Sequence, residues 1–94
     1  GTTSFRCLEA YWRDRNEPDQ WHATDIFIRP RTRSDRHKPA LACGLVTNFH
    51  QPGSTLIMLL SALIGLDAVN ATYQEALAKN YRFLSYGDSS LYWF

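Results

Sequence analysis

The sequence has 94 residues, which allows one small domain or a part of a larger one. Hydrophobic residues make up 45% and charged residues 20% of the chain, a balance that excludes wholesale disorder. Ten basic and nine acidic residues give a formal net charge of +1, which indicates no particular partner. The charge is uneven, because residues 29–38 hold five basic residues and one acidic residue, a local excess of +4. Such a block attracts phosphates, although solvated loops have the same composition.

The first predicted element is a helix in the opening segment GTTSFRCLEAYWRDR. Phe5, Leu8 and Trp12 fall at helical spacing, and Thr3 or Ser4 can cap the helix by accepting the free backbone N–H groups of its first turn. A glycine-containing loop that opens such a helix normally follows a β-strand. We therefore expect the chain to begin inside a strand–loop–helix unit, as a fragment.

Two short apolar segments predict strands. In residues 24–30, Ile26 and Ile28 alternate with Phe27 before a proline stops the segment. Residues 40–49, with the sequence ALACGLVTNF, fit a buried strand.

Two helices are predicted after the HQPG turn. Ser54 can cap the first, TLIMLLSALI, which is apolar on nearly every face and is therefore expected to be buried, with Gly65 as its stop. Asp67 can cap the second, in which Glu75 and Lys79 lie four residues apart in the favourable order for an ion pair.

The last segment, YRFLSYGDSSLYWF, predicts a strand at residues 82–86, a turn at Gly87 and Asp88, and an aromatic end. Helices that alternate with short apolar strands predict an α/β layered domain.

Several classes of site are disfavoured by the sequence. Cys7 and Cys43 form no disulfide-dense pattern; one bridge between them is possible, but buried, reduced thiols are expected. The histidines and cysteines lack paired ligand spacing, so no metal site is expected. The apolar run at residues 56–66 is too short to cross a bilayer, and no leader peptide opens the chain. We therefore expect a cytoplasmic protein with no membrane partner.

Two loops share a geometry that suits anions. GTTS and HQPGST both deliver small hydroxyl residues to a predicted helix start, where unpaired N–H groups and a partial positive charge favour a phosphate or a carboxylate. Thr2, Thr3, Ser4, Ser54 and Thr55 are therefore candidate binding residues, or helix caps and nothing more. Neither loop is a phosphate-binding P-loop motif.

Three further side chains each allow a functional and a structural interpretation. His50 follows the predicted buried strand and can exchange protons near neutral pH, or it can anchor the loop by hydrogen bonds. Asp88 is either a turn residue or an acid presented at a strand end. Arg6 can reach an anion held by the first loop, or it is a surface charge.

Four segments together resemble one enzyme family. TNFHQPGSTLIMLLSALIG, the closing YRFLSYGDSSL, the opening GTTSFRCLEA and TDIFIRP occur in the order found in the carboxyl-terminal stretch of the S-adenosylmethionine:tRNA ribosyltransferase-isomerase (QueA) family of queuosine biosynthesis. The resemblance reaches from residue 1 to about residue 91. It implies that residues 1–94 are the carboxyl-terminal segment of a larger α/β domain, whose upstream strands and separate β-barrel domain are not part of this chain.

The resemblance also implies an activity for the parent polypeptide. The family transfers and isomerises the ribosyl part of S-adenosylmethionine onto the aminomethyl-deazaguanine base of tRNA, which gives epoxyqueuosine and releases adenine and methionine. S-Adenosylmethionine is thus a substrate, tRNA is a partner, and no metal is implied. The chemistry begins with removal of a proton beside the sulfonium, so it needs a proton acceptor and anchors for anionic groups.

Residue chemistry then suggests roles in that reaction. His50 is the candidate for proton transfer, and Asn48 and Asp88 can hold hydroxyls or amines. The two helix starts, at residues 2–4 and 54–55, would anchor anionic groups with the assistance of Arg6. By itself, this chain is not expected to catalyse the reaction.

The chain also departs from the family pattern. Gln51 stands where the family usually has Leu, Gly53 stands where a larger residue is usual, and residues 31–43 are longer and more basic than expected. An alternative interpretation is therefore a non-catalytic nucleic-acid-binding module that uses the basic loop at residues 29–38.

Overall fold

The computed structural model describes residues 1–14, 26–30 and 36–94, and over these residues it contains three helices and two strands. They are α1 (Thr2–Asp14), β1 (Gly44–Asn48), α2 (Thr55–Ile64), α3 (Leu66–Ala78) and β2 (Ser89–Trp93). The first two residues of the predicted strand at 24–30 and the middle of the basic loop lie outside the described residues. Helices and strands are mixed as predicted for a fragment of an α/β domain.

The two strands form an antiparallel ribbon, with Leu45 opposite Tyr92 and Thr47 opposite Ser90. β1 coincides with the second half of the predicted strand at residues 40–49. Leu45 and Thr47 face the interior, whereas Val46 faces outward, which is the alternation expected of a strand with one buried face.

The predicted strand at residues 82–86 is wrong, because this segment forms a turn and β2 begins only at Ser89. The Asp88 carboxylate accepts the N–H of Arg82 at 2.7 Å, and the Asp88 N–H donates to the Arg82 carbonyl at 2.9 Å. Gly87 closes this turn, and a Cβ atom there would lie 2.5 Å from the Arg82 carbonyl oxygen. The predicted turn at Gly87 and Asp88 is therefore present but displaced: it spans residues 84–87, and Asp88 follows it.

The predicted strand at residues 24–30 is described only from residue 26, and residues 26–30 are not assigned as a strand. Ile26 and Ile28 are nevertheless buried while Phe27 is exposed. The segment therefore has the predicted alternation of faces, and it contributes Ile26 and Ile28 to the core without being assigned as a strand.

The helix ends differ from the predicted caps. Thr3 and Ser4 lie within the first turn of α1, and the N–H of Phe5 bonds back to the Gly1 carbonyl at 3.0 Å. Gly65, with φ of 93°, both ends α2 as predicted and caps α3, so Asp67 lies in the first turn of α3 rather than at its cap. A left-handed φ favours glycine at this position.

The core lies between α1, α2 and the ribbon. Phe5, Leu45, Leu60, Val69 and Tyr92 belong to one buried cluster. Among the described elements α2 contributes the largest share of it, as its apolar composition predicted. On α1 the buried face passes through Phe5 and Glu9, while Leu8 and Trp12 remain partly exposed. The predicted stripe of Phe5, Leu8 and Trp12 is thus only partly correct.

Cys7 and Cys43 are free thiols and both are exposed. The expectation that they are buried is wrong, because Cys7 lies on the outer side of α1 and Cys43 precedes β1. Next to the core, a smaller aromatic cluster joins the end of β1 to α3. In it the Phe49 ring lies 5.4 Å from the rings of both Tyr73 and Phe83.

No single helix in the described part of the chain is long and apolar enough to cross a membrane. Only α2 and α3 taken together reach the required length and composition, and these two helices are bent by 119° at their junction.

Candidate functional site

His50 lies two residues beyond the end of β1, in a corner formed by that strand and α3. Its Nε2 atom is 2.9 Å from the Thr47 hydroxyl oxygen, and its backbone N–H donates to the Tyr73 hydroxyl at 2.8 Å. The residue is only 9% exposed. Two polar partners from different elements therefore fix both the backbone and the imidazole of His50.

Burial lowers the pKa of the His50 imidazole below its usual value of 6.5. The ring is therefore neutral at neutral pH and retains one nitrogen lone pair, as a proton acceptor requires. Burial also raises the pKa of the Tyr73 phenol above its usual value of 10.0, so its hydroxyl stays protonated. The His50 corner is thus an uncharged hydrogen-bonded group.

The predicted start of α2 is present, but its cap is unusual. Ser54 has extended backbone angles, φ −74° and ψ 157°, and occupies the cap position without a side-chain hydrogen bond to the helix. Its hydroxyl oxygen is buried and has no hydrogen-bond partner among the described residues. A buried hydroxyl that lacks a partner is costly, so this helix start retains the capacity to bind a polar group.

Arg6 and Thr55 lie at one small pocket of about 170 Å³, which Phe27, Leu56 and Leu59 also line. The Arg6 guanidinium donates to the Ile26 carbonyl at 3.2 Å, which holds the guanidinium beside residues 26–30. The structure thereby brings together one residue from each predicted anion site. Thr2, Thr3 and Ser4 do not line this pocket.

Asn48 and Asp88 lie side by side across the end of the ribbon. The Asn48 amide nitrogen is 3.5 Å from the carbonyl oxygens of Gly87 and Asp88, at the outer limit of hydrogen bonding. The Asp88 carbonyl accepts the N–H of Phe49 at 3.4 Å, so the Asp88 backbone is adjacent to the residue that precedes His50. One carboxylate oxygen of Asp88 is used by the turn.

Sequence reasoning missed a buried carboxylate on α1. Glu9 is 5% exposed, and its two oxygens contact His37 Nε2 at 2.7 Å and the N–H of Ala40 at 2.9 Å. The N–H of His37 also donates to the Ala62 carbonyl at 2.6 Å. These contacts attach the described end of the basic loop to α1 and α2.

The surface above Glu9 is a cleft of about 880 Å³ between α1 and the segments 26–30 and 36–40. We call it the basic cleft, because four cationic side chains line it: Arg13, Arg29, Arg36 and Lys38. Sequence reasoning identified the basic loop but not the α1 face opposite it. The only local signal was Glu9 four residues after Phe5, on the same face of a helix.

Thr47 and Tyr73 were also missed as partners of His50. Thr47 is three positions from His50 in the sequence, and Tyr73 is 23 positions away. Within residues 1–14, 26–30 and 36–94, no group of three or more His, Cys, Asp or Glu side chains is arranged to hold a metal ion.

Comparison with known proteins places this arrangement in one family. A family model described as "Queuosine biosynthesis protein" matches residues 1–92. Similar curated proteins include the S-adenosylmethionine:tRNA ribosyltransferase-isomerases of Mesorhizobium japonicum, 50% identical, and Roseobacter denitrificans, 49% identical, each over 92 residues. These matches cover 97% of this chain and 24% of each relative, so the chain spans about a quarter of their length.

A solved structure agrees with the sequence matches. The crystal structure of S-adenosylmethionine tRNA ribosyltransferase from Thermotoga maritima superposes with a TM-score of 0.80 at 44% identity, covering 97% of this chain and 31% of that one. Sequence and backbone geometry therefore lead to the same conclusion: the chain belongs to the queuosine biosynthesis protein family.

Proposed function

We propose that this chain is the carboxyl-terminal part of an S-adenosylmethionine:tRNA ribosyltransferase-isomerase. The observation that carries the proposal is the family match over residues 1–92, together with relatives of that name at 49–50% identity. The full-length protein would transfer and isomerise the ribosyl part of S-adenosylmethionine onto the aminomethyl-deazaguanine of tRNA, giving epoxyqueuosine. The chain contributes one wall of the active site, and the remainder of the polypeptide supplies the rest.

His50 is the residue that we propose for proton transfer. The positive sulfur of S-adenosylmethionine acidifies the adjacent carbon, and a neutral imidazole is a suitable acceptor for that proton. We propose the Nε2–H tautomer for His50, in which the Thr47 hydroxyl oxygen, 2.9 Å from Nε2, accepts the hydrogen bond. That choice leaves the lone pair of Nδ1 for the substrate, and the bond from the backbone N–H of His50 to the Tyr73 hydroxyl holds the backbone of His50 in place.

The start of α2 is the anion anchor that we propose. Thr55 and the Arg6 guanidinium line one pocket, and the buried Ser54 hydroxyl lacks a partner among the described residues. A carboxylate, such as that of the methionine group, would gain a positive guanidinium and unpaired helix N–H groups there. Thr2, Thr3 and Ser4 would anchor a second anionic group at the start of α1.

Asn48 and Asp88 are proposed to hold hydroxyls or amines of the substrates. Their position at the end of the ribbon, beside Phe49, puts them next to the His50 corner. Asp88 also stabilises the turn at Arg82, so a structural contribution accompanies the proposed one. We further propose that the full-length protein acts in the cytoplasm, since tRNA is its substrate.

The test is turnover by the full-length protein, with S-adenosylmethionine and tRNA that carries the deazaguanine precursor. Mass spectrometry of the tRNA should detect epoxyqueuosine, and chromatography should detect one adenine for each product. Absence of both products would reject the proposed activity.

A matched pair of variants isolates the role of His50. His50→Ala should lower turnover at least a hundredfold, in the range of lost general base catalysis. Gln51→Ala, at the exposed neighbouring position, should leave turnover near that of the wild type. Equal turnover of both variants would reject proton transfer by His50 while leaving the activity itself intact.

The alternative, a non-catalytic nucleic-acid-binding module, is less well supported. The relatives that match 97% of this chain carry the name of an enzyme, and the match extends through the segment that contains His50.

A further inference from the structure

Arg29 and Lys38 are exposed cationic side chains that line the basic cleft. Its described lining contains one carboxylate, that of Glu9, and Arg13 pairs with Asp14 at 2.6 Å. Exposed cations at a concave surface favour a negatively charged ligand.

The Glu9 carboxylate does not compete for such a ligand, because it is buried and its oxygens already contact His37 and the Ala40 N–H. These contacts, and the bond from the His37 N–H to Ala62, fix the backbone on both sides of Lys38. The backbone around Lys38 is thus attached to α1 and α2 by hydrogen bonds that do not involve the Lys38 side chain.

Two aromatic rings line the same cleft. Phe27 is 51% exposed, although it lies between the buried Ile26 and Ile28, and Trp12 is 41% exposed. The Arg29 guanidinium carbon lies 5.7 Å from the centroid of the Phe27 ring, within the range of a cation–π contact. An exposed ring beside a guanidinium offers a stacking surface and a phosphate contact at one place.

We propose that the basic cleft binds single-stranded RNA, with a base stacked on Phe27 and phosphates held by Arg29 and Lys38. Cations alone would suit any polyanion, but an exposed ring adds affinity only for bases that are free to leave their stack, as in single strands and loops. The choice of RNA rests on the proposed function. The inference adds the surface that would hold the tRNA. That surface shares Phe27 with the pocket at Arg6 and Thr55, but Arg29 and Lys38 belong to the cleft and not to that pocket.

The test uses the full-length protein and fluorescence anisotropy of a labelled single-stranded RNA of mixed sequence. The same RNA annealed to its complement is the duplex probe. Phe27→Leu should weaken single-strand binding roughly five- to hundredfold without changing the salt dependence, because it removes stacking and no charge. Tyr86→Leu, at a fully exposed aromatic position outside the cleft, should leave the affinity unchanged.

The double variant Arg29→Ala/Lys38→Ala tests the phosphate contacts. It should lower the slope of log affinity against log salt by about 1.4, or about 0.7 for each lost contact to a single strand. Lys79→Ala removes a cation that is paired with Glu75 on α3 and should leave the slope unchanged. Circular dichroism of each variant verifies that the protein is folded.

Any of three results would overturn the inference: duplex RNA bound as tightly as the single strand, Phe27→Leu binding like Tyr86→Leu, or an unchanged slope in the double variant. Turnover is measured separately. Product formation without any effect of the cleft variants on RNA binding rejects the inference alone. The predicted binding changes in a protein that forms no epoxyqueuosine reject the proposed function alone.

Discussion

Replacement of Tyr73 with phenylalanine removes the hydroxyl that accepts the backbone N–H of His50 at 2.8 Å and retains the ring. The ring contacts with Phe49 and Phe83, at 5.4 and 5.8 Å, should therefore persist. A partly buried N–H that loses its hydrogen-bond acceptor costs about 1–2 kcal/mol. We expect local opening of the His50 corner to become easier by that amount.

Amide hydrogen exchange at His50 in the full-length protein measures this effect directly. A loss of about 1–2 kcal/mol corresponds to exchange that is about 5- to 30-fold faster. Tyr81→Phe is the matched control. The Tyr81 ring lies in the same aromatic cluster, 5.8 Å from the Phe49 ring, but the hydroxyl that accepts the His50 N–H belongs to Tyr73. In Tyr81→Phe, amide exchange at His50 should match that of the wild type.

Unchanged exchange at His50 in Tyr73→Phe would refute the reasoning, because the hydroxyl would then not protect this amide. Equal acceleration in Tyr81→Phe would also refute it, since the effect would then come from loosened ring packing.

Three further predictions concern stability in the full-length protein. Leu60→Ala, at a side chain with no exposed surface, should destabilise the protein by about 2–5 kcal/mol in chemical unfolding, and a loss below about 1 kcal/mol would contradict the central position of α2. Gly87→Ala should cost about 1–3 kcal/mol, because the new Cβ meets the Arg82 carbonyl oxygen at 2.5 Å; a thermal midpoint equal to that of the wild type would show that the turn can relax. The lowered pKa of His50 means that the unfolded chain takes up the proton first as the pH falls below about 6.5. The free energy of unfolding should therefore decrease from pH 6.5 towards the folded pKa and decrease less in His50→Gln, whereas parallel pH profiles would exclude His50 as the source.

The sequence alone predicted those elements whose terminal residues and apolar composition both indicate the same structure. The α2 helix was predictable because a long apolar run lies between Ser54 and Gly65, and the Glu75–Lys79 pair, found at 2.6 Å, follows from helical spacing alone. The strand in the last segment was misplaced because YRFLSY and SSLYW have similar strand propensity. Only the pairing with β1, more than 40 residues away, decides between them.

The candidate site shows the same division. His50 stands out from the sequence because a titratable side chain follows an apolar strand. Its partner Tyr73 does not, because the contact depends on how α3 is rotated around its axis. Glu9 and His37 are 28 residues apart, and neither residue has a local feature that indicates the other.

The junction between α2 and α3 has a consequence for how this segment can evolve. Gly65 is the single residue that separates the two helices, so no loop residue is available to absorb a change in length. Adding one residue there would turn every later side chain of α3 by about 100° around the helix axis and carry the phenol of Tyr73 away from His50. Insertions at this junction should therefore be tolerated far less than insertions in an ordinary helix–helix loop, even though no proposed catalytic residue lies within it.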